Sequence, residues 1–373
     1  MFAAGADWIM WFLSYGVPFL AVLTLIVFIH ELGHFLVARW CGVNVETFSV
    51  GFGHAIARWY DRKGTQWKIG WIPLGGYVKF QGDANAASMP ADIAAPARPG
   101  DFHTTSVTRR AAIVVAGPVA NFLLAIGIFA ASFAIVGEPV SPPVVEEVRP
   151  GSAAEAAGIL PGDRITRIND HGITSFTEIQ RIVADRAGEE LAITLDRAGR
   201  EITIRVTPQM TEVPDSIGGT IRIGLLGISK DVAEDLQYDR KNPIEALVLG
   251  VGETYFVVER TLSYLKGMVM GEVSPDQLAG PLGIAKISGQ AASVSLGALF
   301  HLAAVLSVSI GLINLFPIPM LDGGHLVFYA VEAVRGKPLA QNVQEMGFKV
   351  GLGLVLMLML MATWNDITRL NLF

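Results

Sequence analysis

The chain has 373 residues, of which 51% are hydrophobic and 17% charged, and its mean hydropathy is +0.46. This composition is too apolar and too poor in charge for an ordinary soluble protein. The formal net charge of −6 excludes the basic footprint of a nucleic-acid-binding protein. Cys41 is the only cysteine, so no intrachain disulfide can form.

Four apolar stretches predict membrane-spanning helices, since a crossing needs about 20 apolar residues. They lie at about 8–38, at about 111–137, within 287–321 and at about 347–365. The first is predicted to be a retained span, because no basic segment precedes it and no small-residue cleavage site follows it. The more charged segment 244–272 favours an amphipathic helix on the outer surface, with a fifth crossing as the alternative.

Basic residues are concentrated in two short loops, 39–110 and 334–349, whereas the segment 138–246 has an excess of acids. Short cytoplasmic loops carry the excess of Lys and Arg in membrane proteins. The pattern therefore predicts that both basic loops are cytoplasmic and that both termini and the acidic segment lie outside.

The first span contains the run His30-Glu31-Leu32-Gly33-His34. Residues i and i+4 share one face of a helix, so both imidazoles can bind a single ion. This H-E-x-x-H pattern is the signature of zinc hydrolases, with two histidine ligands and the Glu as general base. An ionisable residue at bilayer depth costs about 2.5–3.5 kcal/mol, and a divalent cation compensates that cost. We predict a metal site at His30 and His34 with Glu31 as base; the alternative is two histidines that only pack.

The third span is interrupted between Asn314 and His325. Pro317 and Pro319 break a helix and free backbone carbonyls, and Asp322 follows within the break. A catalytic zinc typically has three protein ligands and an open position. We predict Asp322 as the third ligand, with His325 as the alternative.

Residues 45–80 predict a β-hairpin with a turn at Asp61–Thr65 and many aromatic side chains. The aromatic residues suit an interfacial or re-entrant position, where non-helical backbone must be satisfied by protein or by a water-filled cavity. The hairpin either has no role or holds an extended substrate by strand addition. The Ala- and Pro-rich segment 83–107 predicts a flexible linker.

The second span begins with Gly117-Pro118-Val119-Ala120-Asn121, in which Asn121 is a polar amide among apolar residues. It either hydrogen-bonds a neighbouring helix, which contributes about 0.6 kcal/mol on average, or binds a substrate carbonyl beside the metal.

From Val144 to about Pro208 the composition is that of a soluble α/β module. Its order of elements and the phrase from Pro150 to Ile165 closely resemble a bacterial, circularly permuted PDZ domain. Such domains bind a peptide as an added strand, and a steric plug over the membrane site is the alternative.

Taken in order, these motifs resemble the site-2 protease family of intramembrane zinc proteases, in its bacterial RseP-like branch (regulator of sigma-E protease). The resemblance implies one Zn2+ per chain, held by His30, His34 and Asp322, with Glu31 as catalytic base. It also implies that Asn121 and Asn314 lie near the bound substrate, and Gly117 and Pro118 are assigned with them. Members with two tandem PDZ domains are known, whereas residues 209–243 are too short for a second one here. A size-exclusion role of a PDZ pair is therefore in doubt for this chain.

The predicted fold class is a polytopic α-helical membrane protein with about four transmembrane helices, a cytoplasmic-side re-entrant β-hairpin and one inserted extracytoplasmic PDZ domain. In chain order, we predict the first transmembrane helix with the zinc motif (1–43), the membrane-associated hairpin (44–82), a flexible cytoplasmic linker (83–108), the second transmembrane helix (109–138), the PDZ domain (139–212), a connector (213–243), an amphipathic surface helix and loop (244–295), the third transmembrane segment with the Asp ligand (296–334), and the fourth transmembrane helix with the C-terminus (335–373).

The resemblance implies a multi-pass protein of the bacterial inner membrane, with the active site near the cytoplasmic side and the PDZ domain in the periplasm. Implied substrates are single-pass membrane proteins already shortened outside, such as anti-sigma factors, and signal-peptide remnants. A peptide or substrate segment is expected at the PDZ groove, the lipid bilayer around the spans, and no nucleic acid. The alternative function is a proteolytically inactive membrane scaffold with a structural metal. A transporter would require inverted repeats, which the sequence does not show.

Overall fold

The computed structural model describes residues 9–83, 98–184, 186–214, 220–230, 237–271 and 279–369. The chain divides into two compact units. Unit 1 consists of Met1–Ala130, Leu247–Ser263 and Pro275–Phe373, and unit 2 consists of Ala131–Ala246 and Tyr264–Ser274. The predicted linker 83–108 falls largely on residues 84–97, which lie outside the described residues.

The helices follow one another along the chain, and a π-helical stretch, Phe12–Gly16, leads into the first. They are α1 (Val17–Trp40), α2 (Val107–Ile135), α3 (Ala153–Ala156), α4 (Phe176–Ala184), α5 (Pro243–Met270), α6 (Pro281–Val294), α7 (Leu296–Asn314), α8 (Asp322–Arg335) and α9 (Gln341–Arg369).

The strands form one hairpin in unit 1 and small sheets in unit 2. They are β1 (Val45–Tyr60), β2 (Gln66–Phe80), β3 (Glu138–Val140), β4 (Glu147–Val148), β5 (Arg164–Ile168), β6 (His171–Gly172), β7 (Leu191–Arg197), β8 (Arg200–Val206), β9 (Gln209–Pro214), β10 (Thr220–Leu225), β11 (Ile228–Ser229) and β12 (Gln237–Asp239).

Four helical segments among the described residues are long and apolar enough to cross a membrane. They are Ile9–Trp40, Val107–Ile135, Leu296–Asn314 and Asn342–Thr368. These segments match the four spans predicted from hydropathy, so the chain has the helices of a multi-pass membrane protein. The predicted stretch 287–321 holds parts of two helices, because Ser295 ends α6 and its side chain accepts a hydrogen bond from Ala298 N–H at the start of α7 (3.0 Å).

The hairpin of unit 1 pairs β1 with β2 antiparallel, from Val45 opposite Phe80 to Tyr60 opposite Gln66. Several bulges interrupt the register, and Gly51 and Gly53 have positive φ where the strand bends. Near α1 the hairpin is buried, whereas its far half is exposed on β1. The predicted hairpin is present.

One carboxylate fastens the turn of the hairpin to the end of α1. Asp61 pairs with Arg39 in the last turn of α1 and accepts hydrogen bonds from the backbone N–H groups of Lys63 (2.9 Å) and Thr65 (3.1 Å). Burial alone would raise the pKa of Asp61, but hydrogen bonds from Trp67, Lys63 and Arg39 outweigh it and lower the pKa to about 2. The hairpin is thereby held beside the helix that carries the H-E-x-x-H run.

Unit 2 is built on an antiparallel sheet with the order β6-β5-β7-β8. Helix α4 covers it, and the core between them is closed by fully buried side chains such as Ile165, Phe176 and Ile193. Arg197 donates two hydrogen bonds to Asp163 (2.7 and 2.8 Å), which joins β7 to the turn before β5. Strands and helix follow the order predicted for residues 144–208; the PDZ assignment itself stays a prediction.

Candidate metal centre

The two histidines of the H-E-x-x-H run lie on one buried face of α1. His30 is 9% and His34 is 8% exposed, and their Nε2 atoms are 3.2 Å apart. Asp322, the first residue of α8, places Oδ2 3.1 Å from His30 Nε2 and Oδ1 3.6 Å from His34 Nε2. The ligand atoms of the three side chains all lie within 4.8 Å of one another and could hold a metal ion.

The chain reverses tightly between α7 and α8 so that Asp322 can reach α1. Met320 in this turn has a φ of +88°, which is unusual for a residue other than glycine. A Cβ on Gly323 would collide with the carbonyl groups of Leu315 and Phe316. The two prolines break the helix, and the glycine lets α8 start against the end of α7.

The donor set fits a catalytic zinc, which typically takes three nitrogen or oxygen ligands and leaves one position open. His34 Nδ1 donates to the carbonyl oxygen of Ile113 in α2 (2.8 Å). The ring proton is therefore on Nδ1, and Nε2 has its lone pair directed at His30 and Asp322. Such outer hydrogen bonds fix the tautomer of metal-binding histidines.

Glu31 lies next to the ligands, under strand β2. Glu31 and Val78 of β2 line the same cavity. A Cβ on Gly76 would lie 3.2 Å from the Glu31 Cγ, so a side chain at this position of β2 would press on the acid. The strand thus passes directly over the predicted catalytic base.

A cavity of about 320 Å³ opens on His30, Glu31, His34 and Asp322. Strand β2 from Leu74 to Val78 forms one wall. A peptide that enters this cavity would meet the acid, the three converging ligands and the strand at once.

The structure separates the other predicted site residues into two groups. Asn314 and His325 line the cavity, although His325 is not among the converging ligands. The residues of the second-span motif do not line it: Asn121 is 0% exposed, with its Nδ2 3.3 Å from His30 Nδ1. A Cβ on Gly117 would collide with His34 Nε2 and lie 2.9 Å from His30 Cε1. Gly117 therefore packs against the Nε2 edge of the His34 ring, whereas Asn121 contacts the Nδ1 edge of the His30 ring.

A buried ion pair holds the Asp322 helix against α2. Arg110 donates to both carboxylate oxygens of Glu332 (2.6 and 3.2 Å), and its guanidinium lies 5.0 Å from the centre of the Tyr329 ring. Both charged side chains are largely buried, which makes their pairing specific. The sequence motifs do not predict this pair, and an Arg at the start of an apolar span is the only sequence signal for it.

A comparison with protein-family models matches residues 18–358 to peptidase family M50. The chain belongs to this family, which is the family of the site-2 proteases. The resemblance drawn from the motifs is thus confirmed.

Similar proteins occur in several bacteria. Metalloprotease MmpA of Caulobacter vibrioides is 40% identical over an alignment that covers 97% of each chain. A protein of Agrobacterium fabrum, named "Putative zinc metalloprotease", is 46% identical over 96% of each chain. One of Rhizobium meliloti with the same description is 46% identical over 96% of this chain and 98% of its own.

Proposed function

We propose that this chain is an intramembrane zinc endopeptidase that cleaves transmembrane segments of single-pass membrane proteins. The observation that carries the proposal is the convergence of His30, His34 and Asp322 beside Glu31, at a cavity between apolar helices. Membership of a peptidase family and the zinc named in the relatives support it. A purely structural metal would give no reason for a carboxylate in the cavity wall.

The chain's own residues supply most of the chemistry. A zinc ion held by His30, His34 and Asp322 would polarise the scissile carbonyl and acidify the attacking water. Glu31 accepts the proton of that water and passes it to the leaving amine. Strand β2 packs on Glu31 at Gly76 and so confines the acid at the wall of the cavity.

The hairpin would hold the substrate in the extended conformation that cleavage requires. A transmembrane helix hides its carbonyls in i to i+4 hydrogen bonds, so a substrate must unwind before attack. Strand addition to β2 beside the cavity replaces the lost backbone hydrogen bonds and holds the chain extended. Asn314, in the cavity wall, is placed to donate to a substrate carbonyl.

We also propose a membrane location and partners for the protein. The protein is a multi-pass component of the bacterial inner membrane, with its site near the cytoplasmic side and unit 2 as a periplasmic PDZ domain. Its substrates are shortened outside beforehand, as anti-sigma factors and signal-peptide remnants are. Unit 2 holds a groove of about 1030 Å³ between α4 and the segment Leu225–Ser229, where a peptide segment would bind as an added strand.

The test uses the purified full chain and a single-pass reporter. Glu31→Gln should abolish cleavage and leave the zinc content unchanged, because an amide cannot accept the proton while the ligands remain. Glu201→Gln, at an exposed position of β8, is the matched control and should cleave normally. Undiminished cleavage by Glu31→Gln would reject the assigned base. Comparing membrane proteomes with active and Glu31→Gln enzyme would then identify the fragments that accumulate.

A further inference from the structure

Both histidines of the metal centre are held from the same helix, but by different groups. His34 Nδ1 donates to a backbone carbonyl of α2, that of Ile113 (2.8 Å). His30 Nδ1 faces a side chain of α2, the amide of Asn121, at 3.3 Å. The carbonyl of Ile113 can only accept a hydrogen bond, whereas an amide can accept or donate. The tautomer of His30 therefore depends on Asn121.

Asn121 is enclosed on every side. It is 0% exposed, and its backbone carbonyl accepts a hydrogen bond from Ser307 Oγ of α7 (2.9 Å). A Cβ on Gly311 would lie 3.2 Å from the Asn121 Cβ, so α7 packs closely against this residue. The amide oxygen Oδ1 is buried and has no hydrogen-bond partner. A buried polar atom without a hydrogen-bond partner destabilises the fold, so a role other than stability accounts for the amide best.

The amide has two orientations, related by half a turn. When Nδ2 faces His30, it donates to Nδ1, and the ring proton is then on Nε2, 3.1 Å from Asp322 Oδ2. A protonated Nε2 cannot bind a cation. When Oδ1 faces His30, it accepts the proton of Nδ1, and the lone pair of Nε2 is free for the metal.

We propose that Asn121 is a positioning residue for the metal: it turns Oδ1 to the Nδ1–H of His30 and so fixes the metal-binding tautomer and orientation of that ring. This inference rests on the proposed function, since it needs a metal at His30. It assigns Asn121 to the histidine, and not to the substrate.

The test measures zinc affinity of the purified full chain by competition with a chromophoric chelator. Asn121→Leu should bind zinc about 10–100-fold more weakly, the usual effect of losing an outer hydrogen bond to a ligand. Asn121→Asp should retain wild-type affinity, because a carboxylate accepts the Nδ1 proton in either orientation. Ser307→Ala, which loses a bond to the backbone of Asn121 but not to its side chain, is the matched control. Substituted cobalt should show an altered visible spectrum in Asn121→Leu and not in Ser307→Ala.

The outcomes separate this inference from the proposed function. His30→Ala gives the zinc affinity of a chain that lacks one of the proposed ligands. If His30→Ala keeps its zinc, the metal centre itself is wrongly assigned. If His30→Ala loses zinc while Asn121→Leu binds normally, or if Asn121→Asp binds as weakly as Asn121→Leu, the positioning role is overturned. Asn121→Ala replaces Asn121→Leu if the larger side chain prevents folding, and the same fold-change is expected.

Discussion

Substituting Gly117 should disable the metal centre without disturbing the fold elsewhere. The Cβ of an alanine at this position would collide with His34 Nε2 and come to 2.9 Å from His30 Cε1, where an ordinary contact is 3.4–4 Å. The two rings must therefore move by on the order of 0.5–1 Å, whereas metal–ligand distances tolerate about 0.2 Å. We expect Gly117→Ala to weaken zinc binding more than about tenfold and to lower the cleavage rate about 100-fold, as a misplacement of 1 Å does.

The matched control is on the same helix. Gly127 has open space where a Cβ would be added, with nothing within 4 Å. Gly127→Ala should bind zinc and cleave the reporter normally, and should be stabilised by about 0.4–1 kcal/mol through the unfolded state. Zinc titration, reporter cleavage and thermal unfolding measure the three effects. Wild-type zinc affinity and cleavage in Gly117→Ala would refute the view that this glycine confines the histidine rings.

Three further predictions follow from other parts of the molecule. Asp322→Asn should lower the zinc content of the purified protein, measured by elemental analysis; unchanged stoichiometry would move the third ligand to His325 or elsewhere. Arg110→Met should cost about 3–5 kcal/mol by leaving Glu332 buried and unpaired, while the double variant with Glu332→Leu should be more stable in denaturant than either single variant; additive losses would contradict the pairing. Because the pKa of Asp61 is about 2 when folded and 3.8 in its ordinary state, its stabilisation is complete above pH about 4 and is lost as the pH falls through 2. The protection factors of the Lys63 and Thr65 amides, which correct for the intrinsic pH dependence of exchange, should fall over that range in the wild type and stay constant in Asp61→Asn.

The spans could be predicted from sequence because crossing a bilayer needs only length and apolarity. Their internal boundaries could not. The uncharged run 287–321 contains a helix break at Ser295, where a single hydroxyl caps α7 and the apolar pattern continues unchanged on both sides. Likewise, α5 is one continuous helix of 28 residues, with charges that made the pattern ambiguous between a surface helix and a crossing.

The site could be predicted as far as its ionisable residues, because charge at bilayer depth needs a partner. On that ground the sequence predicts His30, His34 and Asp322 as one group, and the structure brings them together. The contacts that α2 makes with the histidines cannot be predicted in this way, since they depend on how closely α1 and α2 cross. Gly33 is the contact point: a Cβ there would collide with the carbonyl of Ala116 and lie 2.8 Å from the Ala120 Cβ. Scattered small residues are the only signal in the sequence for the close approach that aligns α2 with the histidines.

The close packing of β2 on Glu31 has a consequence for kinetics. The strand proposed to recognise the peptide also packs on the proposed proton acceptor at Gly76, so a substrate contact along the strand would affect the position of the acid. Truncating the extended part of a substrate should therefore slow turnover at saturation and not merely raise the concentration needed to reach it. In this arrangement, the preference for a substrate sequence and the rate of catalysis both depend on strand β2.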